Sequence, residues 1–197
     1  ACQLDGHWKL VSGCFSRDKV KSRQTGQYWG INKDDIYIDW RVYIDKQGDR
    51  LDAVVVLTPT PSHVEIVCAL LKAGIAVICE KAMVASLNQS AEVQKTLADT
   101  KGFLAVTFNY SGYPMVRVLR RHIQAGDLGK LLQLRVEMPS DGFIQQVDKM
   151  SPQAWRLVDG DIPTLLLDLA VHVHHLSYFV SGCKPLSVNA DFNNDSI

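Results

Sequence analysis

Two apolar runs do most to limit what this chain can fold into. Asp52-Ala53-Val54-Val55-Val56-Leu57-Thr58 is almost unbroken in β-branched and aliphatic residues, and Ile75-Ala76-Val77-Ile78-Cys79 repeats the pattern. A run without polar alternation predicts a strand buried on both faces, as parallel strands are. Residues 61–73 lie between them with helical apolar spacing (Val64, Val67, Cys68, Leu71), Pro61 in the first turn and Gly74 as the stop. Strand, helix and strand in that order predict a βαβ unit, because parallel neighbours need a crossover of about this length.

The pattern extends in both directions. Residues 9–16 are predicted as a strand, 18–29 as a helix ended by Gly30, 86–98 as a helix capped by Ser86, and 102–107 as a further strand. Alternating strands and helices define an α/β chain with a doubly wound parallel sheet. After Asn109 the texture changes. Residues 113–124 are predicted helical and 125–129 form a turn. Residues 131–138 alternate like a half-solvated strand, 163–180 suit a buried helix, and 186–190 suit the start of a strand. The domain change is placed near Asn109, giving domains 1–109 and 110–197.

Composition excludes several classes. Lysine plus arginine (21) balance aspartate plus glutamate (21), so no general attraction to nucleic acid or an anionic membrane is expected. No apolar run approaches the ~20 residues of a membrane span. The first residues lack the basic start and apolar core of a signal peptide. Five scattered cysteines, never in a Cys-x-x-Cys pair, fit a reducing compartment, the cytoplasm, better than a disulfide framework.

Ligands in open α/β sheets bind beyond the carboxyl ends of the strands. Those ends are Ser16-Arg17-Asp18, Thr58-Pro59-Thr60-Pro61-Ser62-His63 and Glu80-Lys81. A lysine at such a mouth suits proton exchange when partial burial disfavours its charge; by position alone Lys81 reads first as a surface lysine on a loop. A second constellation is Asp168-Leu169-Ala170-Val171-His172-Val173-His174-His175. On a regular helix Asp168, His172 and His175 fall within about 60° of one another. That face suits a proton relay or hydrogen bonds to a hydroxylated substrate, an internal Asp–His pair that only joins helices, or, third, a metal site. No Gly-x-Gly-x-x-Gly turn occurs, and Gly26 and Gly30 lie in and after a helix.

In order along the chain, these segments resemble the glucose–fructose oxidoreductase / inositol dehydrogenase / MocA (Gfo/Idh/MocA) family. The likeness rests on residues 10–18, 58–63, Glu80-Lys81-Ala82, Asn109-Tyr110, Pro114-Met115-Val116, residues 126–130, Trp155-Arg156, and Asp168 four residues before His172. Ala82 stands where the family motif has proline, Ala170 where it has glycine, and Asp161-Ile162-Pro163-Thr164 where a glycine-rich turn is usual.

The resemblance implies a Rossmann-type domain followed by an incomplete α+β domain. It implies hydride transfer between NAD or NADP and a sugar, polyol or related hydroxylated small molecule. Lys81, His172 and Asp168 are then the catalytic group, and Lys81, Asp168, His172 and His175 meet the substrate. Ser16, Arg17, Thr58, Pro59, His63, Glu80, Lys81, Asn109, Trp155 and Arg156 line the cofactor pocket, with Arg17 suited to a 2′-phosphate. A homo-oligomer through the second-domain sheet is also implied. The family's first strand and glycine turn would lie before Ala1 and most of its last sheet after Ile197, so a piece of a longer protein is expected. Without that turn, dinucleotide binding is expected to be poor. The non-enzymatic alternative is a dinucleotide-binding sensor on the same scaffold.

Overall fold

A computed structural model describes residues 6–47, 50–139 and 153–191. The chain divides into two compact units, residues 1–106 and 107–197.

The first unit opens with strand β1 (Gly13–Cys14), helix α1 (Lys19–Tyr28) and strand β2 (Ile36–Tyr37), with β1 and β2 parallel. The Asp18 carboxylate caps α1, accepting from the backbone N–H of Val20 at 2.8 Å and of Lys21 at 3.0 Å. These bonds, Lys21 first, lower the Asp18 pKa. Gly30, at φ +74°, follows the helix end. Ser22, buried on α1, donates to the Tyr37 carbonyl and accepts from the Phe15 N–H, tying the helix to both strand segments. At Gly26 the approach is closer still: a Cβ there would stand 2.5 Å from Ile36 Cδ1. Helix α2 (Trp40–Gln47) follows, and the Asp39 carboxylate accepts from the Arg41 N–H at its start.

Strand β3 (Val54–Val56) runs parallel to β4 (Val77–Glu80), with Val54 opposite Val77 and Val56 opposite Cys79. Between them a 3₁₀ turn (Thr60–Ser62) leads directly into helix α3 (His63–Lys72). Strand β5 (Leu104–Thr107) lies on the other side of β4, where the Val77 N–H donates to the Phe103 carbonyl at 2.9 Å. Helix α4 (Leu87–Thr100) connects these two strands, capped by Ser86, whose hydroxyl accepts from the Gln89 N–H.

The core follows from the periods. Val56, Val77 and Cys79 from the sheet meet Ile66, Val67, Leu70 and Leu71 from α3, while Val64 and Cys68 pack with Val93 of α4. Helix α3 is therefore buried on two sides, and its seven buried residues account for its nearly all-apolar sequence. Burying each Val, Leu or Ile stabilises by about 1.5–3 kcal/mol before conformational entropy is charged. Cys79 is wholly buried, and burial pushes its thiol up to about 12.

The expected double burial of residues 52–58 is only half met. Val54 and Val56 face the core, but Val55 and Leu57 are 42% and 70% exposed. Successive side chains in a strand point to opposite faces, and among the described residues that second face is left largely open at Val55 and Leu57.

In the second unit a 3₁₀ turn (Asn109–Gly112) leads to helix α5 (Pro114–Ala125), ended by Gly126 at φ +79°. After a short 3₁₀ segment (Ala154–Leu157), a π-helical stretch (Leu166–Ala170) runs into helix α6 (Val171–Ser181), which packs against α5 and the 109–112 turn. The helix predicted over 163–180 is thus two kinds of helix, and the π turn departs from the regular spacing assumed for Asp168 and His172. Residues 131–138 and 186–190 are not strands. Leu132 is 86% exposed and Leu186 fully so, and a strand needs a hydrogen-bonded neighbour that the described residues do not supply. No described helix is long and apolar enough to cross a membrane.

Candidate active site

In the first unit Thr58, Pro59, His63, Glu80 and Lys81 lie at or beyond the ends of β3 and β4, and Ser16 and Arg17 lie elsewhere. Thr58 and Pro59 stand exposed just beyond β3. The turn behind them is held by the Ser62 hydroxyl donating to the Pro59 carbonyl at 2.8 Å. Glu80 closes β4, and Lys81 follows it, half-buried. The Lys81–Ala82 peptide is cis.

His63, which the resemblance assigns to the cofactor pocket, is the first residue of helix α3. It is 1% exposed, its Nδ1 lies 2.9 Å from the Ala82 carbonyl oxygen, and its Nε2 contacts the Thr58 carbonyl oxygen. Ser16 and Arg17 follow β1 in the separate two-stranded sheet. There the Ser16 hydroxyl accepts from the Asp18 N–H, and Arg17 is exposed. Asp18, committed to capping α1, has its carboxylate directed at that helix.

In the second unit Arg156 forms an ion pair with Asp168, and its guanidinium lies 4.7 Å from the centre of the Trp155 ring. Trp155 in turn donates from Nε1 to Gln153. Arg156, Leu157, Asp159, Thr164, Leu165 and Asp168 line an open cleft of about 230 Å³. The loop framing it is braced by Thr164, whose N–H donates to the Asp159 carboxylate and whose hydroxyl donates to the Val158 carbonyl. Two residues assigned to different roles in the sequence, Arg156 and Asp168, are therefore one charged pair.

His172 is buried at 7% exposure, with the Tyr110 ring edge-on at 4.8 Å and Phe108 edge-on at 6.2 Å. His175 lies flat on Phe108, ring centres 3.9 Å apart, and also stacks near Phe179. Its pKa is lowered, first by burial and then by the neighbouring His174. Phe108 and Tyr110, flanking Asn109, were not singled out as site residues; two aromatics directly after a strand end were the available signal. The metal reading is not met. Among the described residues no three His, Cys, Asp or Glu side chains are placed to hold a metal ion.

Residues 3–108 match the family described as an oxidoreductase family with an NAD-binding Rossmann fold, Gfo/Idh/MocA, and residues 116–196 match the C-terminal domain of the same family. The chain is a member of the Gfo/Idh/MocA oxidoreductase family.

Among its Gfo/Idh/MocA relatives, an oxidoreductase of Bacillus subtilis is 30% identical over 183 residues, covering 88% of this chain and 46% of the relative. Levoglucosan dehydrogenase of Pseudarthrobacter phenanthrenivorans is 31% identical over 140 residues, covering 67% of this chain and 35% of the relative. In structure, an inositol dehydrogenase homolog from Azotobacter vinelandii, complexed with NADH and myo-inositol, superposes with a TM-score of 0.72 at 25% identity. That match covers 88% of this chain and 45% of the homolog. The chain thus spans less than half the length of these relatives.

Proposed function

We propose that the protein transfers a hydride between a nicotinamide dinucleotide and a hydroxyl-bearing carbon of a sugar, inositol or related polyol. The observation that carries this reading is family membership across both units, joined to a half-buried lysine at the carboxyl end of a parallel strand. Relatives named as levoglucosan and inositol dehydrogenases support the substrate class, a ring bearing several hydroxyls.

The residues present fit the cofactor. Thr58 and Pro59 are exposed beyond β3 at the start of the crossover helix, on the side of a sheet where dinucleotides bind. Arg17, exposed beside the capping Asp18, suits the adenosine end and gives a 2′-phosphate a cation.

When bound, the nicotinamide supplies the hydride acceptor or donor. Lys81 takes or returns the proton of the substrate hydroxyl at Nζ. His172, its ring orientation held by Tyr110 and Phe108, shares that proton handling. Asp168, paired with Arg156, accepts hydrogen bonds from neighbouring substrate hydroxyls.

Fluorescence titration of the full-length protein with NADH and NADPH tests the reading. Saturable binding is expected, and Arg17→Ala is expected to weaken NADPH about tenfold or more while leaving NADH within about twofold, the size of one lost charge-assisted contact. A screen of sugars and inositols then identifies the substrate. An intact protein that binds neither nucleotide overturns the proposal.

A further inference from the structure

His63 stands where two strand exits meet. It is the first residue of α3, which begins where β3 delivers the chain, yet its ring reaches across to the segment following β4. The two atoms it meets are both backbone carbonyl oxygens, that of Thr58 after β3 and that of Ala82 after Lys81. Carbonyls only accept and a neutral imidazole carries one N–H, so in the tautomer protonated at Nδ1 the ring donates to the Ala82 carbonyl. A buried backbone acceptor left without a donor is unfavourable, so the imidazole does structural work that an apolar residue of similar size cannot replace.

The placement of this contact matters for Lys81. On its upstream side Lys81 is fixed by the sheet: Cys79 pairs with Val56, and Glu80 is the last strand residue. On its downstream side the next carbonyl, Ala82, is held by His63. Ala82 is itself buried, and Met83 beyond it packs against both core clusters. Lys81 is thus one residue held between a paired strand and a histidine bond.

We propose that His63 is a positioning residue, which sets the aim of the Lys81 amine through the Ala82 carbonyl and touches neither cofactor nor substrate. This rests on the proton-handling role proposed for Lys81. A long, flexible side chain amplifies small backbone shifts, and a misplacement of about 1 Å at a reacting group costs on the order of 100-fold in rate.

The test uses the full-length enzyme with its substrate. Lys81→Ala, His63→Ala and His63→Gln are compared by kcat, by NADH affinity from fluorescence titration, and by the pH profile of kcat/KM. His63→Ala is expected to lower kcat by roughly 10- to 100-fold, to leave NADH affinity within about threefold, and to shift the limb of the pH profile that Lys81→Ala abolishes. His63→Gln, which keeps an N–H donor, is expected to recover part of kcat, and it serves as the decisive variant if His63→Ala does not fold. Equal losses in NADH affinity and kcat would mean that His63 lines the cofactor pocket, and the proposal falls. An unchanged kcat in both His63 variants, with Lys81→Ala inactive, overturns this inference alone. A fully active Lys81→Ala overturns the proton-handling role of Lys81 and this inference with it.

Discussion

The two units bury different things. In residues 1–106 the largest buried cluster is aliphatic: Val67, Leu70, Leu71, Val77 and Cys79 are each at most 1% exposed, and one helix, α3, supplies most of its packing. In residues 107–197 the buried described residues are Thr164, Leu167, His172 and Val180, and the contacts around them are aromatic and polar. Large apolar side chains there stand open, Met115 at 74% and Leu132 at 86%. A sheet with a crossover helix makes its own core, because both partners of each contact lie close in sequence. Among the described residues of the second unit the one buried ionisable group is His172, set against the rings of Tyr110 and Phe108. The first unit is built around an aliphatic cluster, whereas the second has few buried side chains among those described.

The sharpest way to break that comparison is truncation. Leu70→Ala is expected to destabilise by about 2–5 kcal/mol, the usual cost of a fully buried leucine. Leu132→Ala in the second unit is expected to stay within about 0.5 kcal/mol. Urea unfolding midpoints measure both, and similar losses would remove the distinction.

A smaller effect concerns α1. Glycine to alanine in a helix ordinarily gains up to about 1 kcal/mol. At Gly26, where a Cβ would meet Ile36 at 2.5 Å, the change is expected to be net destabilising by about 1–3 kcal/mol. A raised melting temperature for Gly26→Ala would show that Ile36 yields freely and that the first unit is less tightly set than described.

The smallest effect tests the second unit. His175 has its pKa lowered, mainly by burial, so the unfolded chain binds its proton more readily than the folded one. Stability from this group is therefore present above the unfolded value of about 6.5 and is lost as pH falls through the lower folded value. His175→Phe keeps a ring to stack on Phe108 and removes the titration. Its melting temperature is expected to fall less than the wild type's between pH 7 and pH 5 (roughly the span over which histidine charges). Identical slopes would show that His175 does not couple to folding.

Much of the first unit was legible because its signals are local. Asp18 and Ser86 caps, the Gly30 and Gly74 stops and the apolar periods need no distant partner to be read. What escaped was short or mixed. Ile36–Tyr37 is only two residues of strand, and α2, with its Asp39 cap and apolar Trp40, Tyr43 and Ile44, is a short helix of eight residues. The strands expected over 131–138 and 186–190 had the right alternation, but alternation reports a face and not a partner. At the site, Lys81 was legible because a strand end is visible in sequence. The Arg156–Asp168 pair and the reach of His63 to Ala82 were not, since both join residues a dozen or more apart through the fold. The π turn at Leu166–Ala170 was hidden too, because its composition is that of an ordinary helix.

The depth of Cys79 has a further consequence. Only a thiolate attacks an alkylating reagent, and a thiol pushed to about 12 holds roughly one part in a hundred thousand of that form at pH 7. Cys183, exposed after α6, is within reach of the same reagent while the protein stays folded. Cys79 can be modified only after β4 has come away from its neighbours. The chain therefore carries its own clock: the delay between labelling of Cys183 and labelling of Cys79 measures how often the parallel sheet opens.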